Sequence, residues 1–171
     1  MREWIYGRNP VYEALRAGRR QAFRLYLAQG AQGKGRLDEI VHWCDMQHIP
    51  VDRVARQKLD GIATNHQGVA LETTTFEYVA LQDIMDIAEE RAEPSFILIL
   101  DALQDPQNLG TLIRTAEITG VHGILLPLRH TAGVTPAVAA ASSGACEHIL
   151  VSQVNLAQAI EALKESGVWV V

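Results

Sequence analysis

The feature that most restricts the fold is a regular alternation of short apolar segments with helix-favouring segments in residues 95–171. The first apolar segment, Phe96–Leu100, reads FILIL and has no polar position on either face. Continuous apolar strands are typical of parallel sheets covered by helices on both sides, whereas half-exposed strands alternate apolar and polar residues. The second half is therefore predicted to be a parallel α/β domain.

The alternation extends over most of the chain and suggests two domains joined by a linker. In residues 1–77 the predicted elements are a helix at Pro10–Ala17, a strand at Phe23–Ala28, a helix at Arg36–Gln47, a short strand around Val51, a helix at Ala55–Leu59 and a strand from Val69. Residues 78–94 are predicted to be the linker, in which Asp83–Glu93 is acidic and helix-favouring and is closed by Pro94. In residues 95–171 the elements after Phe96–Leu100 are a helix from Leu109, a strand at Gly123–Leu126, a helix at Pro136–Ala141, a strand at His148–Val151, a helix at Leu156–Glu165 and a strand at Val168–Val171.

Composition and charge restrict the class of protein. The net charge is -5, yet residues 1–77 carry 11 Lys and Arg against 9 Asp and Glu, whereas residues 78–171 carry 4 against 11. Such asymmetry indicates that the first half meets an anionic partner. Two widely separated cysteines predict neither a disulfide framework nor a zinc site. With no long apolar run and no signal peptide, the chain is expected to be soluble and cytoplasmic, without a membrane partner.

The loop after Phe96–Leu100 is the first place to look for chemistry, because ligands of open α/β sheets bind at the carboxyl ends of the strands. The next helix is predicted to start with Asn108 as its N-cap and to turn Leu109 and Ile113 toward the sheet. Arg114 then projects away from the sheet and offers a planar fork suited to phosphate. From these residues alone, a helix cap and a solvated arginine explain the segment equally well.

Three motifs resemble the SpoU (TrmH) family of RNA 2′-O-methyltransferases, and in particular its bacterial branch that modifies a guanosine of 23S ribosomal RNA. They are NLGxxxRxAxxxG at 108–120, GRNPVYEAL at 7–15 and NHQGV at 65–69. The resemblance implies a SPOUT-type α/β domain with a trefoil knot, S-adenosylmethionine as cofactor, ribosomal RNA as substrate and a homodimer in the full-length protein.

The resemblance also implies roles for two residues in the first of these motifs. Arg114 matches an arginine at the ribose 2′-hydroxyl, and Asn108 matches an asparagine that helps to hold that site. A guanidinium stays protonated near neutral pH, so a general-base role for Arg114 conflicts with its chemistry. Orienting the hydroxyl and stabilising charge are the roles expected instead.

The first domain resembles the L30e-like substrate-binding domain of these enzymes. The RNA-binding residues expected there are Arg8, Arg16, Arg19, Arg20, Arg24, Lys34 and Arg36. A solvated charge cluster is the competing explanation. The glycines around Lys34 do not form a phosphate-binding P-loop, because the Gly-Lys pair is not followed by Ser or Thr.

The family's remaining motifs, which build the knot and the cofactor pocket, are expected beyond Val171. The 171-residue chain is therefore expected to be a truncated, inactive portion of the enzyme, with its cofactor-binding residues unknown. The alternative is a non-catalytic RNA-binding module of L30e-like type.

No metal is expected: Cys44 and His48 share a helical spacing, but His42 lies off that face. His66 is read either as part of a functional motif or as a turn residue that bonds the backbone.

Overall fold

Two separate sheets form, one in each half of the chain. The computed structural model describes residues 1–31 and 35–171. The first half consists of β1 (Arg2–Tyr6), α1 (Arg8–Ala17), β2 (Ala22–Ala28), α2 (Arg36–Met46), β3 (Val51–Val54), α3 (Arg56–Asp60) and β4 (Val69–Thr74). The second half consists of α4 (Leu81–Glu90), β5 (Ile97–Ile99), α5 (Pro106–Ile118), β6 (Gly123–Pro127), α6 (Pro136–Ala141), a short 3-10 helix (Ala145–Glu147), β7 (Leu150–Val154) and α7 (Leu156–Glu165).

The first sheet is mixed, with strand order β1-β4-β2-β3. Strand β4 runs antiparallel to both β1 and β2, and β2 runs parallel to β3. Helices α1 and α2 cover one face, where Val11 and Ile40 pack against Ile5, Leu25 and Leu71. Strand β1 is absent from the sequence prediction, because five residues with two charges at one end of the chain carry little periodic signal until β4 pairs with them.

The second sheet confirms the predicted parallel architecture. Its order is β5-β6-β7, and both strand pairs are parallel. Because side chains alternate along a strand, Ile124 and Leu126 of the central strand face the cluster under α5 and α6, while Leu125 packs with α4 and α7. The FILIL strand is only half-buried in the described sheet, where β5 is an edge.

The acidic segment 78–94, predicted to be a linker, contains a packed helix. Ile84 and Ala88 of α4 are buried, and Ile84 packs with Leu125 against the second sheet. Gly123 sits at this contact, where an added Cβ would lie 2.6 Å from the Ile84 side chain. The segment therefore belongs structurally to the second sheet as one of its covering helices.

Two local predictions in the second half are wrong. Residues 168–171 form no strand, although Val168 and Val170 pack partly against the α4–α7 side and Trp169 is exposed. Asn108 is not the N-cap of α5: Asp105 is, and its Oδ1 accepts a hydrogen bond of 3.0 Å from the Gln107 backbone N–H. Proline at the first helical position is compatible with this earlier start, because that position needs no N–H donor.

The two halves pack closely along a seam. Strand β1 contacts α6, and α1 contacts the 3-10 helix. Gly144 permits the second contact, because its φ is 90° and an added Cβ would lie 2.7 Å from the Glu13 Cβ on α1. Across the seam, Arg20 Nη2 donates to Glu147 Oε1 at 2.8 Å, and Arg20 also pairs with Glu3. This arrangement fixes how α1 faces α5.

Candidate functional site

Helix α5 carries the residues of the first motif on its outward face. Leu109, Ile113 and Ala116 are buried against the sheet, as the periodicity predicts. Asn108 and Arg114 are both exposed. Gly110 allows α5 to approach α6, since an added Cβ would meet Ala141 and lie 2.9 Å from the Ser142 backbone nitrogen.

Arg114 lines a polar cleft on the seam between the two halves. The cleft has a volume of about 470 Å³, and its other lining residues are Asn9, Glu13, Arg16, Glu117, Ile118, Ser142, Ser143, Ala145 and His148. Arg114 was predicted as a catalytic residue and Arg16 as an RNA-binding residue, and they lie 98 positions apart in the sequence. In the structure both line this cleft. Asn108 does not line this cleft, so the structure does not bring the two predicted catalytic residues into it together.

The Glu13 carboxylate has two side-chain partners in the cleft. The Glu13 Oε2 lies 2.7 Å from His148 Nε2 and 3.5 Å from Arg16 Nη1. The His148 side chain is 29% exposed and that of Arg16 is 59% exposed, so the arginine stays accessible to solvent and ligands. The longer Arg16–Glu13 contact is a surface pair of small energy, which a phosphate could replace.

A smaller depression of about 80 Å³ adjoins this cleft and brings the two N-terminal motifs together. Its lining residues are Tyr6, Gly7, Asn9, Pro10, Asn65, Gln67, Ala140 and Ser143. The backbone N–H of Arg8 donates to Gln67 Oε1 at 2.9 Å, which joins the GRNPV and NHQGV segments. His66 is buried and its Nδ1 accepts from the Gly68 N–H at 2.8 Å, so it is a turn residue that bonds the backbone.

The remaining predicted RNA-binding residues are dispersed. Arg8 and Arg24 are exposed, and Arg24 pairs with Glu72 at 3.1 Å. Arg36 stacks over the Tyr12 ring and pairs with Glu39. Arg19 donates to the Ile149 carbonyl at 3.0 Å across the seam, and Lys34 lies outside the described residues. These residues do not gather into one patch around Arg114.

The prediction that Arg20 binds RNA is corrected by its burial. Its side chain is 2% exposed and that of its partner Glu147 is 1% exposed. Burial opposes the charge of Arg20, but the Glu147 and Glu3 carboxylates raise its pKa above the ordinary value. Such a guanidinium has no surface for a phosphate, and Arg20 instead joins the two halves. Glu147 was not among the predicted site residues, because a carboxylate within residues 144–147 (GACE) gives no local sign of burial.

At the carboxyl ends of the second sheet, the described residues leave an open depression rather than an enclosed pocket for S-adenosylmethionine. This depression of about 480 Å³ lies at the carboxyl ends of β6 and β7, next to Asp101, Leu128 and Arg129. Its amide residue, Asn155, already caps α7 by accepting from the Gln158 N–H. Within residues 1–31 and 35–171, this depression lacks the enclosed apolar walls that a bound cofactor needs.

No group of three or more His, Cys, Asp or Glu in the described parts of the chain is arranged to hold a metal ion. Cys44 is buried, whereas His42 and His48 are exposed. No helix in the described parts has the length and apolar character required to cross a membrane.

Comparison with known proteins establishes the class to which this fold and its motifs belong. Residues 4–79 match the domain described as RNA 2′-O ribose methyltransferase substrate binding, and residues 95–171 match the SpoU rRNA Methylase family. The crystal structure of the SpoU methyltransferase AviRb from Streptomyces viridochromogenes, in complex with AdoMet, superposes with a TM-score of 0.73 at 18% identity, covering 96% of this chain and 61% of that one. An AdoMet-bound rRNA methyltransferase from Sinorhizobium meliloti gives a TM-score of 0.70 at 22% identity, covering 95% and 58%.

The chain belongs to the SpoU (TrmH) methyltransferase family. It is 43% identical to the putative TrmH family tRNA/rRNA methyltransferase YacO of Bacillus subtilis, over 99% of this chain and 68% of YacO. A putative TrmH family tRNA/rRNA methyltransferase of Staphylococcus saprophyticus is 40% identical over 98% of this chain and 67% of its own length. The chain thus spans about two thirds of these relatives and about three fifths of the solved structures.

Proposed function

We propose that the full-length protein transfers a methyl group from S-adenosylmethionine to the ribose 2′-oxygen of a guanosine in 23S ribosomal RNA, and that it acts as a homodimer. Family membership supports the RNA methyltransferase activity and the cofactor. The observation that carries the proposal for this chain is the position of Arg114, which opens into a polar cleft that also contains Arg16. The transfer would break the bond between sulfur and methyl carbon, leaving S-adenosylhomocysteine, and the proton of the 2′-hydroxyl would pass to solvent.

The chemistry of Arg114 restricts its role on the RNA side of the reaction. A guanidinium offers five N–H donors and no acceptor, so Arg114 does not remove the proton from the hydroxyl. It holds a phosphate oxygen next to the target ribose and so positions the 2′-hydroxyl. Asn108, two turns earlier on α5 and exposed, is proposed to contact the same nucleotide from the start of the helix.

The first test is methyl transfer by the product of the complete gene. With tritium-labelled S-adenosylmethionine and 23S ribosomal RNA, we expect label in a linkage that resists alkaline hydrolysis, because 2′-O-methylation removes the attacking hydroxyl. The Arg114→Ala variant is expected to lose about 100-fold in kcat, the usual scale for removing one preorganised charged donor. Arg53→Ala is the matched control, because Arg53 lies on β3 at the far edge of the first sheet.

Several outcomes would contradict the proposal. Label on a base would contradict the assignment of the ribose as the methylated group. Equal rates for Arg114→Ala and Arg53→Ala would contradict the role of Arg114. Labelling of tRNA in preference to ribosomal RNA would make tRNA the substrate instead of ribosomal RNA. RNA binding without methyl transfer by the complete gene product would reduce the protein to a binding module.

A further inference from the structure

The polar cleft and its smaller neighbour adjoin each other on the seam, and together we call them the groove. Asn9 and Ser143 line both depressions, one from each half of the chain. One end of the groove is formed by Arg16 and Arg114, and the other by Asn9, Asn65 and Gln67. We call these the arginine end and the amide end.

From this groove we propose that a single unpaired RNA segment lies across the seam, with a phosphate at the arginine end and the edge of an adjacent base at the amide end. The proposal rests on the proposed function and deepens it. It makes Asn9, Asn65 and Gln67 base-reading residues, and it makes Arg16 a positioning residue that acts together with Arg114.

The arginine end has the chemistry required to hold a phosphate. Guanidinium groups bind phosphate oxygens through parallel N–H donors, and here they are contributed by both halves of the chain. The nearby carboxylate of Glu13 is already hydrogen-bonded to His148, with Oε2 2.7 Å from Nε2. The exposed Glu117 also lines the cleft and opposes an anion there.

The amide end has the chemistry required to read a base. Side-chain amides donate and accept at once, and they pair with the edges of nucleobases. Asn9, Asn65 and Gln67 are all exposed. A depression of about 80 Å³ holds a base edge rather than a whole base pair, and unpaired bases are the ones whose edges proteins read in RNA.

The amide end is also held in place before any ligand binds. Gln67 has a positive φ of 53°, which is rare for residues other than glycine. The buried ring of His66 supports this turn by accepting from the Gly68 N–H at 2.8 Å, with its Nε2 3.0 Å from Asp60 Oδ1. A strained turn kept in place by the surrounding hydrogen bonds is typical of a ligand-contact position.

The seam fixes the distance between the two ends. Arg19 and Arg20 bond to Ile149 and Glu147 across it, and Glu13 approaches Gly144 closely. A base bound at the amide end is therefore presented at a defined separation from Arg114. Base recognition by the first domain then selects which ribose reaches α5.

The test measures RNA binding by the chain itself, residues 1–171, with fluorescein-labelled 12-nucleotide RNA. The variants are Arg16→Gln and Asn9→Asp, with Arg53→Gln on β3 and Gln158→Glu on α7 as controls of the same chemistry. We expect Arg16→Gln to weaken binding and to reduce the slope of log affinity against log salt by about 0.7, the value for one lost contact to single-stranded RNA. We expect Asn9→Asp to weaken binding about 10-fold and to narrow the differences among poly(A), poly(C), poly(G) and poly(U).

A gain of affinity provides a second, independent readout. Glu117→Gln removes a carboxylate from the arginine end, so it is expected to tighten RNA binding, whereas Glu161→Gln on α7 is expected to leave it unchanged. Thermal melting of each variant checks the fold, which we expect to be retained because all the altered side chains are exposed or half-exposed.

The outcomes separate this proposal from the proposed function. If the chain binds RNA but Arg16→Gln and Asn9→Asp behave like their controls, the groove proposal is overturned while methyl transfer can still hold. Absence of RNA binding by the chain, or stronger binding of a duplex than of the unpaired RNA, also overturns it. If the groove variants behave as expected but the complete gene product transfers no methyl group, the proposed function alone fails.

Discussion

Two arginines four positions apart on the chain have opposite environments. Arg16 is exposed on α1 and lines the polar cleft, whereas Arg20 is buried between Glu3 and Glu147. The sequence presents both as members of one basic cluster, because charge by itself does not report burial. Arg16 therefore remains in the RNA-binding proposal, and Arg20 is assigned to the contact between the two halves.

The two cysteines allow a prediction at the same scale. Burial raises the pKa of the Cys44 thiol from 9.0 to about 12, and it raises the pKa of Cys146 above its usual range. Because the thiolate is the reactive form, a pKa of about 12 lowers its fraction at pH 8 about 1000-fold. We expect neither thiol to react with Ellman's reagent at pH 8 until the chain is unfolded in guanidinium chloride.

The same pKa shifts make stability depend on pH. A thiol whose pKa is raised on folding stabilises the folded chain fully below the unfolded pKa, and this contribution is lost as the pH rises through the folded pKa. The free energy of unfolding is thus expected to fall between about pH 9 and 12, and to fall less in the Cys44→Ala variant. For the reaction with Ellman's reagent, equal rates of thiol modification in the folded and unfolded chains would contradict the burial of Cys44 and Cys146.

At the scale of elements, helix α5 shows what periodicity can and cannot establish. The apolar positions of this helix identify its buried face correctly, since Leu109, Ile113 and Ala116 recur at helical spacing. Its first turn is predicted less well, because Asp105 and Asn108 are both good capping residues and local sequence does not choose between them. The outward position of Arg114 follows from the buried face rather than from the cap.

The contact between α5 and α6 gives a testable consequence for stability. An added Cβ at Gly110 would meet Ala141 and lie 2.9 Å from the Ser142 nitrogen. Gly110→Ala is expected to lower the free energy of unfolding by about 1–3 kcal/mol, the usual cost of overpacking, as measured by urea denaturation.

Gly61→Ala is the matched control for this substitution. Gly61 has a negative φ of -70°, and the closest atom to its added Cβ, the Lys58 carbonyl oxygen, lies at 3.5 Å. Its replacement is expected to be neutral or to stabilise the chain by about 0.4–1 kcal/mol. Equal effects of the two substitutions would mean that α5 and α6 do not pack as closely as described.

At the scale of the whole molecule, the buried ion pair is the feature that joins the two halves. Removing one partner of a buried pair costs about 3–5 kcal/mol, because a charge is left without compensation. We expect Glu147→Gln to lower the free energy of unfolding by about 3 kcal/mol, since Arg20 retains its contact with Glu3. Calorimetry should also show the single transition of the unmodified chain separating into two.

The control for this variant is an exposed pair of the same type. Glu161 and Lys164 are 3.1 Å apart on α7 and both are largely exposed. Glu161→Gln is expected to change the free energy of unfolding by less than about 0.5 kcal/mol. A loss from Glu147→Gln as small as that from Glu161→Gln would show that the seam is weaker than its geometry indicates.

The sequence by itself determined the features that depend on local pattern. The parallel second sheet follows from apolar strands alternating with helices, and the family follows from motifs of short span. Only the tertiary structure decided that α4 is packed, that residues 168–171 form no strand and that Arg20 is buried. It also brought Asn9, Gln67 and Arg114 to one groove. The physical reason is that burial and convergence depend on how distant segments pack together, and periodicity along the chain does not encode that packing.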